Sequence, residues 1–451
     1  MANWPLRKLK EYPLEIIDGD RGKAYPQITD FNCKGYCLFL NAGNVTSTGF
    51  NFETCVFITE EKDNELRKGK LESHDIVITT RGTVGNIAYY SPSIPFKHIR
   101  INSGMVILRP NVEFIIPEFL YYSLISPFFK NQLKSFTSGS AQPQLPIRDL
   151  SNISLYLPSL QQQKSIIEKI KILDQKIELN RKMNETLEKM AQAVFQDWFV
   201  DFGPVKRKLK GINNPVAILG GLITNPAKAQ EIASLFPDQF AENGLPRGWD
   251  LKPLTNLASI ISGGTPKTSE SKYWNGDIPW YSIVDAPKSG EVFVLDTQKH
   301  ITIEGLNNSA ARLIRPNVTI ISARGTVGKL AIADHAMCFN QSCYGIEANN
   351  CINDYFIYLN LIHALNRLQN MAYGTVFSTI TRKTIEKIFI NIPSNDLLIS
   401  FSTCVDPLFN LIKHNGEQIR TLAEMRDLLL PKLMSGEISV DELEKKMGGV
   451  L

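Results

Sequence analysis

The sequence is short of everything that would sort it quickly. No hydrophobic run is long enough to cross a bilayer: residues 212–227, INNPVAILGGLITNPA, are the longest notable uncharged stretch, and they are broken by Asn, Pro and Gly. The amino terminus, MANWPLRKLKEYPL, is charged early and has no apolar h-region, so no signal peptide is expected. Charge of one sign is not in excess either. Lys and Arg number 49 against 45 Asp and Glu, a net charge of +4, which excludes a histone-like polycation and names no partner. Cysteine is sparse at seven, an odd number, and the pairs Cys33/Cys37 and Cys338/Cys343 lack the two-residue spacing of zinc knuckles. Free, mostly buried thiols in a reducing cytosol are expected. The six histidines show no metal-like spacing.

Recognisable catalytic loops are missing too. RGTVGKL at Arg324–Leu330 has only two residues between Gly325 and Gly328, and Leu330 stands where a phosphate-binding loop needs a hydroxyl. DPLF at Asp406–Phe409 is similar to the Asp-Pro-Pro-Tyr loop of amino-methyltransferases, but it falls inside a helical pattern with no glycine-rich cofactor loop to accompany it. No Ser–His–Asp or Cys–His arrangement can be assembled. PDQF near Pro237 lacks the acidic–Lys pair of a nuclease centre.

What the sequence does have is length, an ordinary globular composition and a repeat. Its 451 residues, 43% hydrophobic and 21% charged, suit several buried cores and about three domains. NWPLRKL at Asn3–Leu9 returns as GWDLKPL at Gly248–Leu254. RGTVGNIA at Arg81–Ala88 returns as RGTVGKLA at Arg324–Ala331, and ISLYLPS at Ile153–Ser159 as IFINIPS at Ile388–Ser394. The offsets, 245, 243 and 235 residues, are far too long for a solenoid and imply two copies of one unit, built like a fused dimer with a pseudo-two-fold axis.

Each copy begins with short β-prone runs such as DIVITT, GMVIL and NVTIISA, interrupted by turns and by helical stretches near Glu118–Leu133 and Asp354–Leu368. A mixed α/β globule is expected. Each copy then turns helical. Ile166, Ile170, Leu173, Ile177, Asn180, Asn184, Leu187, Ala191, Val194 and Trp198 alternate spacings of 4 and 3, a heptad seam. The second copy repeats it through Phe401, Val405, Leu408, Ile412, Asn415, Ile419, Leu422, Arg426, Leu429 and Leu433, with Arg426 the one charged intruder. Pro407 and Gly416 are expected to kink or soften this second helix. About 40 residues of helix is roughly 60 Å of exposed seam. The simple remedy is for the two helices to pack as an antiparallel coiled coil. Crossing at the midpoints near 182 and 417 would set Asn184 against Asn415 and Asn180 against Ile419, a polar register device.

The residues at these junctions resemble one family. QDWFVDFGPV at Gln196–Val205, SGGTPKTSESKYWNGDIPWYSIVD at Ser262–Asp285, and the passages ISLYLPSLQQQKSIIEKI and IFINIPSNDLLISF are similar to the specificity subunit of type I restriction–modification systems. The last passage departs from the family's usual Pro-Leu-x-Glu-Gln pattern after Ser394. The resemblance covers nearly the whole chain. It implies two target-recognition domains, residues 1–158 and 248–393, with spacer helices at 159–202 and 394–440, a connector at 203–247 and a tail at 441–451. It implies a cytoplasmic, non-catalytic subunit that reads an asymmetric bipartite site on double-stranded DNA. It further implies two modification subunits that carry S-adenosylmethionine and methylate adenine, and restriction subunits driven by ATP and Mg; no cofactor or metal is expected in this chain.

Physical roles follow at particular positions. Arg81-Gly82-Thr83 and Arg324-Gly325-Thr326 each follow an apolar strand. Glycine there lets the backbone approach a phosphate, and arginine pairs bidentately with phosphate or guanine. A shared structural turn is the competing reading. Ser138, Ser140, Gln142 and Gln144, then Gly264, Thr265 and Lys267, then Thr375, Ser378 and Arg382 sit in polar segments that suit DNA-tracking loops or plain surface turns. The basic cluster Lys206, Arg207, Lys208 and Lys210 reads as a solvated turn, and Trp274 and Trp280 as packing. An enzyme, a DNA methyltransferase or nuclease with an unrecognised motif, is the alternative function. A pure coiled-coil scaffold would leave two duplicated globules unexplained.

Overall fold

The structure, a computed structural model, describes residues 4–136, 143–349, 352–371, 379–440 and 442, without the side chains of 366–371. It divides into two compact units, Met1–Gln175 with Leu422–Leu451, and Lys176–Thr421.

The first unit is built on a four-stranded antiparallel sheet in the order Leu14–Asp18, Met105–Pro110, Ile76–Thr79, Ile87–Tyr89. Ile76, Val77 and Ile78 are apolar in succession because both faces of the strand are covered, and all four residues of Ile76–Thr79 are buried. Ile76 and Ile78 join Leu120, Leu124 and Phe129 from the helices Pro117–Ile125 and Pro127–Phe136, whereas Val77 joins Leu38, Leu40 and Ile99 on the other side. The helical stretch expected over 118–133 is thus two helices, parted at Ser126 ahead of Pro127. A three-stranded sheet orders Phe57–Ile58, Cys37–Phe39 and Ile99–Arg100, the last two parallel. Leu6–Lys8 pairs with Ser154–Tyr156 and closes the unit.

The second unit repeats this plan in its main sheet, its three-stranded sheet and its closing ribbon. Its main sheet runs Ala258–Ser262, Cys343–Ala348, Thr319–Ser322, Leu330–Ala333, and adds Phe293–Val294 at the edge, parallel to its neighbour. The three-stranded sheet is His300–Ile301, Trp274–Tyr281, Cys338–Phe339, again with one parallel pair. Asp250–Pro253 pairs with Phe389–Ile392 as the closing ribbon. The duplication legible in three short motifs is a duplication of topology.

Two long helices, Leu160–Phe195 and Asn395–Ser435, carry the seams. Every seam residue is buried or half-buried. Within the first unit, Ile166, Ile167 and Ile170 pack with Leu430, Leu433 and Met434, while Asp174 meets Arg426. Within the second, Asn180 meets Gln418 and Asn184 meets Asn415. In both, one number climbs as the other falls, so the helices run antiparallel. The second helix continues through Pro407, whose ring is on the exposed side.

The first helix ends in a π-helical turn, Gln196–Val200, and Phe202 then takes a left-handed conformation with φ of 53°. This turn drives Trp198 and Phe199 into the second unit's core, where they meet Phe236 and Trp249 edge-on or tilted. Gly203 is required there, because a Cβ would stand 2.0 Å from Asp197 Oδ1. The connector is helical at Gly203–Leu209, Pro215–Ile218 and Pro226–Leu235. Its basic cluster is partly structural rather than a solvated turn. Arg207 grips both oxygens of Asp197, at 3.0 and 2.5 Å, and Lys208 Nζ donates to the carbonyl of Phe236.

Candidate nucleic-acid interface

The two Arg-Gly-Thr segments are the tips of equivalent hairpins. Ile76–Thr79 turns into Ile87–Tyr89, and Thr319–Ser322 into Leu330–Ala333. One hydroxyl clamps each turn. Thr79 Oγ1 donates to the carbonyl of Thr83 at 2.5 Å and accepts from the Asn86 amide at 3.0 Å. Ser322 Oγ does the same with Thr326 at 2.5 Å and Lys329 at 2.8 Å. Sequence reasoning passed over these hydroxyls, although the repeat offset sets Thr79 on Ser322.

The clamp pulls the turn's own polar groups inward and leaves its tip outward. Gly82 and Gly325 have φ of 73° and 76°, and a Cβ on either would meet nothing within 4 Å. Left-handed backbone with open space above it suits close approach of another molecule. Arg81, Thr83, Arg324 and Thr326 are all exposed. Neither guanidinium has a hydrogen-bond or ion-pair partner among the described residues, so both are free for a bidentate acceptor. The second glycine of the first motif differs: Gly85 has φ of 88°, and a Cβ there would stand 2.3 Å from Leu133 Cδ2 rather than in open space.

A second strand of chain is tied to each tip. The Leu145 amide donates to the carbonyl of Thr80, and the Ile380 amide to that of Ala323, both at 2.9 Å. Gln144 is thereby set beside Arg81 as an exposed bridge partner. Arg382 is exposed in the short helix Arg382–Glu386 and pairs with Glu386 at 3.1 Å. Ser138, Ser140, Gln142, Thr375 and Ser378 lie outside the described residues.

The glycine-rich segment of the second unit is less open than its composition suggests. Gly264 is buried: a Cβ would stand 2.2 Å from Ala310, and its carbonyl accepts from Trp280 Nε1 at 2.9 Å. Close packing, not a ligand, explains that glycine. Thr265 is half-buried and bonded to Gln341, while Lys267 is exposed, 3.3 Å from Glu270. Trp274 and Trp280 meet edge-to-face at 5.2 Å, a packing pair.

The seam amides do more than face each other. Asn184 accepts from Asn415 at 2.8 Å and donates to the carbonyl of Gly290 at 3.0 Å, which ties a loop of the second unit to the helix pair. Asn180 donates to Gln418 at 3.1 Å. Ile419 could offer its amide no acceptor, and the neighbouring Gln418 does. Arg426, the charged intruder, is answered by Asp174 at 2.8 Å, whose other oxygen accepts from the Tyr122 hydroxyl.

Asp406 sits in the second long helix, accepting from Asn353 at 2.7 Å, as a helix-face residue would. Among the described residues no group of three or more His, Cys, Asp or Glu is placed to hold a metal, and no helix is long and apolar enough to cross a membrane. Of the cysteines, Cys37, Cys338 and Cys343 are buried, with burial pushing each thiol up to about 12, while Cys33 is exposed.

A family model described as the type I restriction modification DNA specificity domain matches residues 2–189 and again 246–397. The chain belongs to this family. The specificity domain occurs twice, once over each copy of the repeat. The HindI type I restriction enzyme specificity subunit of Haemophilus influenzae is 28% identical over 475 residues, covering 97% of this chain and all of that one. The MjaIX specificity subunit of Methanocaldococcus jannaschii is 27% identical over 399 residues, 86% of this chain and 82% of its own. Among solved structures, the type I system S subunit from M. genitalium aligns over 96% of each chain, at 14% identity and a TM-score of 0.46. As a type I specificity chain, this protein is a DNA-recognition subunit and not itself the methyltransferase or nuclease held open as the alternative.

Proposed function

We propose that this chain reads a bipartite, asymmetric duplex site, one half through each target-recognition domain, as the specificity subunit of a type I complex. Residues 1–158 and 248–393 are the readers, the helices within 159–202 and 394–440 the spacer, and 203–247 the connector. The observation that carries this reading is the exposed, hydroxyl-clamped Arg-Gly-Thr tip, present once on each of two equal topologies. The clamps would preorganise the tips against phosphate, and side chains around them would read base edges.

Catalysis and its cofactors belong to partners in this reading: two modification subunits with S-adenosylmethionine, and restriction subunits with ATP and Mg, in the cytoplasm. The first long helix supports a scaffolding role. Leu179, Met183 and Met190 recur at spacings of 4 and 7 and are exposed by 52%, 37% and 50%, a second apolar stripe outside the buried seam. Such a stripe suits a partner helix.

The net charge of +4 is too small for tight binding by this chain alone. Fluorescence titration should therefore show weak, salt-sensitive binding by the isolated chain, and tight sequence-selective binding once modification subunits are added. Equal affinity and selectivity without them, or S-adenosylmethionine binding by the isolated chain, would contradict the assignment.

A further inference from the structure

The second unit contains a cavity of about 530 Å³ between the first long helix and the hairpin that bears Arg324. Three lysines from three separate segments line it: Lys189 on the helix, Lys288 in the loop before Gly290, and Lys329 immediately after the Arg-Gly-Thr turn. All three are exposed, and none has an ion-pair or side-chain hydrogen-bond partner among the described residues.

Carboxylates line the same cavity, but each is already engaged. Glu291 is paired with Arg181 at 3.1 Å. Glu185 accepts from the Ser289 hydroxyl at 2.6 Å. Glu188 accepts from the Tyr358 hydroxyl at 2.8 Å and from Gln192 at 3.3 Å, and burial pushes its carboxyl above the usual range. Only Glu291 is balanced by a cation; the hydrogen bonds to Glu185 and Glu188 come from neutral groups, and Lys189 also acts electrostatically on Glu188. Three lysines against those two carboxylates still leave the lining with a cationic excess. Its continuity with the recognition hairpin runs through Gly328 and Lys329, which close the clamped turn.

We propose that Lys189, Lys288 and Lys329 form a phosphate-backbone contact that holds duplex DNA beside the Arg324 loop without reading its sequence. A lysine is a mobile point charge suited to phosphate, and such contacts fix position while carrying no base information. The proposal rests on the DNA-recognition reading above and extends it to the spacer helix itself, through Lys189.

The test uses the chain assembled with its modification subunits, and compares wild type with the triple variant Lys189→Gln, Lys288→Gln, Lys329→Gln. Binding is measured on a duplex holding the methylated site and on one lacking it, across a salt series. The expected result is weakening by the same factor on both duplexes, and a slope of log affinity against log salt shallower by up to about 0.9 per lysine. The methylated sequence should not change. An unchanged slope, or a loss confined to the cognate duplex, would overturn the proposal. So would failed assembly with an unchanged slope, which would assign the lysines to a protein partner. If wild type itself did not prefer its cognate duplex, the recognition reading would fail instead. Circular dichroism of the variant controls for folding.

Discussion

Asn415 donates its side-chain amide to the side-chain oxygen of Asn184 at 2.8 Å, and both residues are buried. Asn184 spends its own two N–H groups on the carbonyls of Gly290, at 3.0 Å, and Ile412, at 3.4 Å. One amide therefore joins two helices and a loop, with both its N–H groups donated and its oxygen accepting. Replacing Asn184 with Leu strands the Asn415 amide and the Gly290 carbonyl, at about 1–3 kcal/mol for each buried group left unpaired. The double variant Asn184→Leu, Asn415→Leu relieves the first loss and not the second, so stability should return only in part. Guanidinium unfolding followed by helical ellipticity measures this. Full recovery in the double variant would show that the Gly290 bond contributes nothing.

The hydroxyl clamps give a local prediction. Thr79→Val removes the acceptor of the Asn86 amide and the donor to Thr83. At about 1–3 kcal/mol for the stranded group, amide exchange at Asn86 should speed up by roughly one to two orders of magnitude. Exchange at Lys329, in the other unit, should stay unchanged, and Ser322→Ala should give the converse pattern. Spread of the effect to both hairpins would mean that the two tips are not independent elements.

Glu188 predicts a pH dependence. Burial raises its carboxyl above the ordinary range, so the native state holds its proton more tightly than the unfolded chain does. Stability is then fully present below the usual glutamate pKa, about 4.3, and declines as pH rises through the native value. Glu188→Gln keeps an acceptor for Tyr358 and never ionises. It should melt with wild type in acid and above it at neutral pH, in a series of thermal melts. A variant that melts below wild type at pH 7 would show that the ionised carboxylate stabilises the site.

Much of the architecture was legible because its signals are local or periodic. The repeat of RGTVG fixed the equivalence of two hairpins, and the spacing of apolar residues at 4 and 3 gave the helical seam, with Asn184 opposite Asn415. The partner of Asn180 was missed by one residue, since periodicity places a backbone and not the acceptor its amide will find. Gly290 as the third partner of Asn184 was invisible: the contact joins residues 106 apart through a loop with no pattern of its own. Gly264 was misjudged for a related reason, since polar, glycine-rich composition looks alike whether the glycine serves a ligand or a crowded backbone. The π-helical turn at Gln196–Val200 left no trace in the apolar spacing either; its aromatic residues meet their partners only in the folded core.

The two tips should be separable in function. Arg81→Ala and Arg324→Ala each remove one exposed guanidinium and leave the other unit intact. Each should lower methylation in cells, with relaxed selectivity confined to one half of the site, if the arginine reads a base, or with uniform weakening if it holds phosphate. Relaxation of both halves by one substitution would argue against one reader per unit.

If two similar units each read one half of the site, exchange of one unit should move one half alone. Residues 249–392 are replaced by the corresponding domain of a relative with a different site, and the methylome of cells carrying the hybrid is mapped. The expected methylome shows a new bipartite sequence in which one half is exchanged and the other retained. Change in both halves, or retention of both, would contradict it.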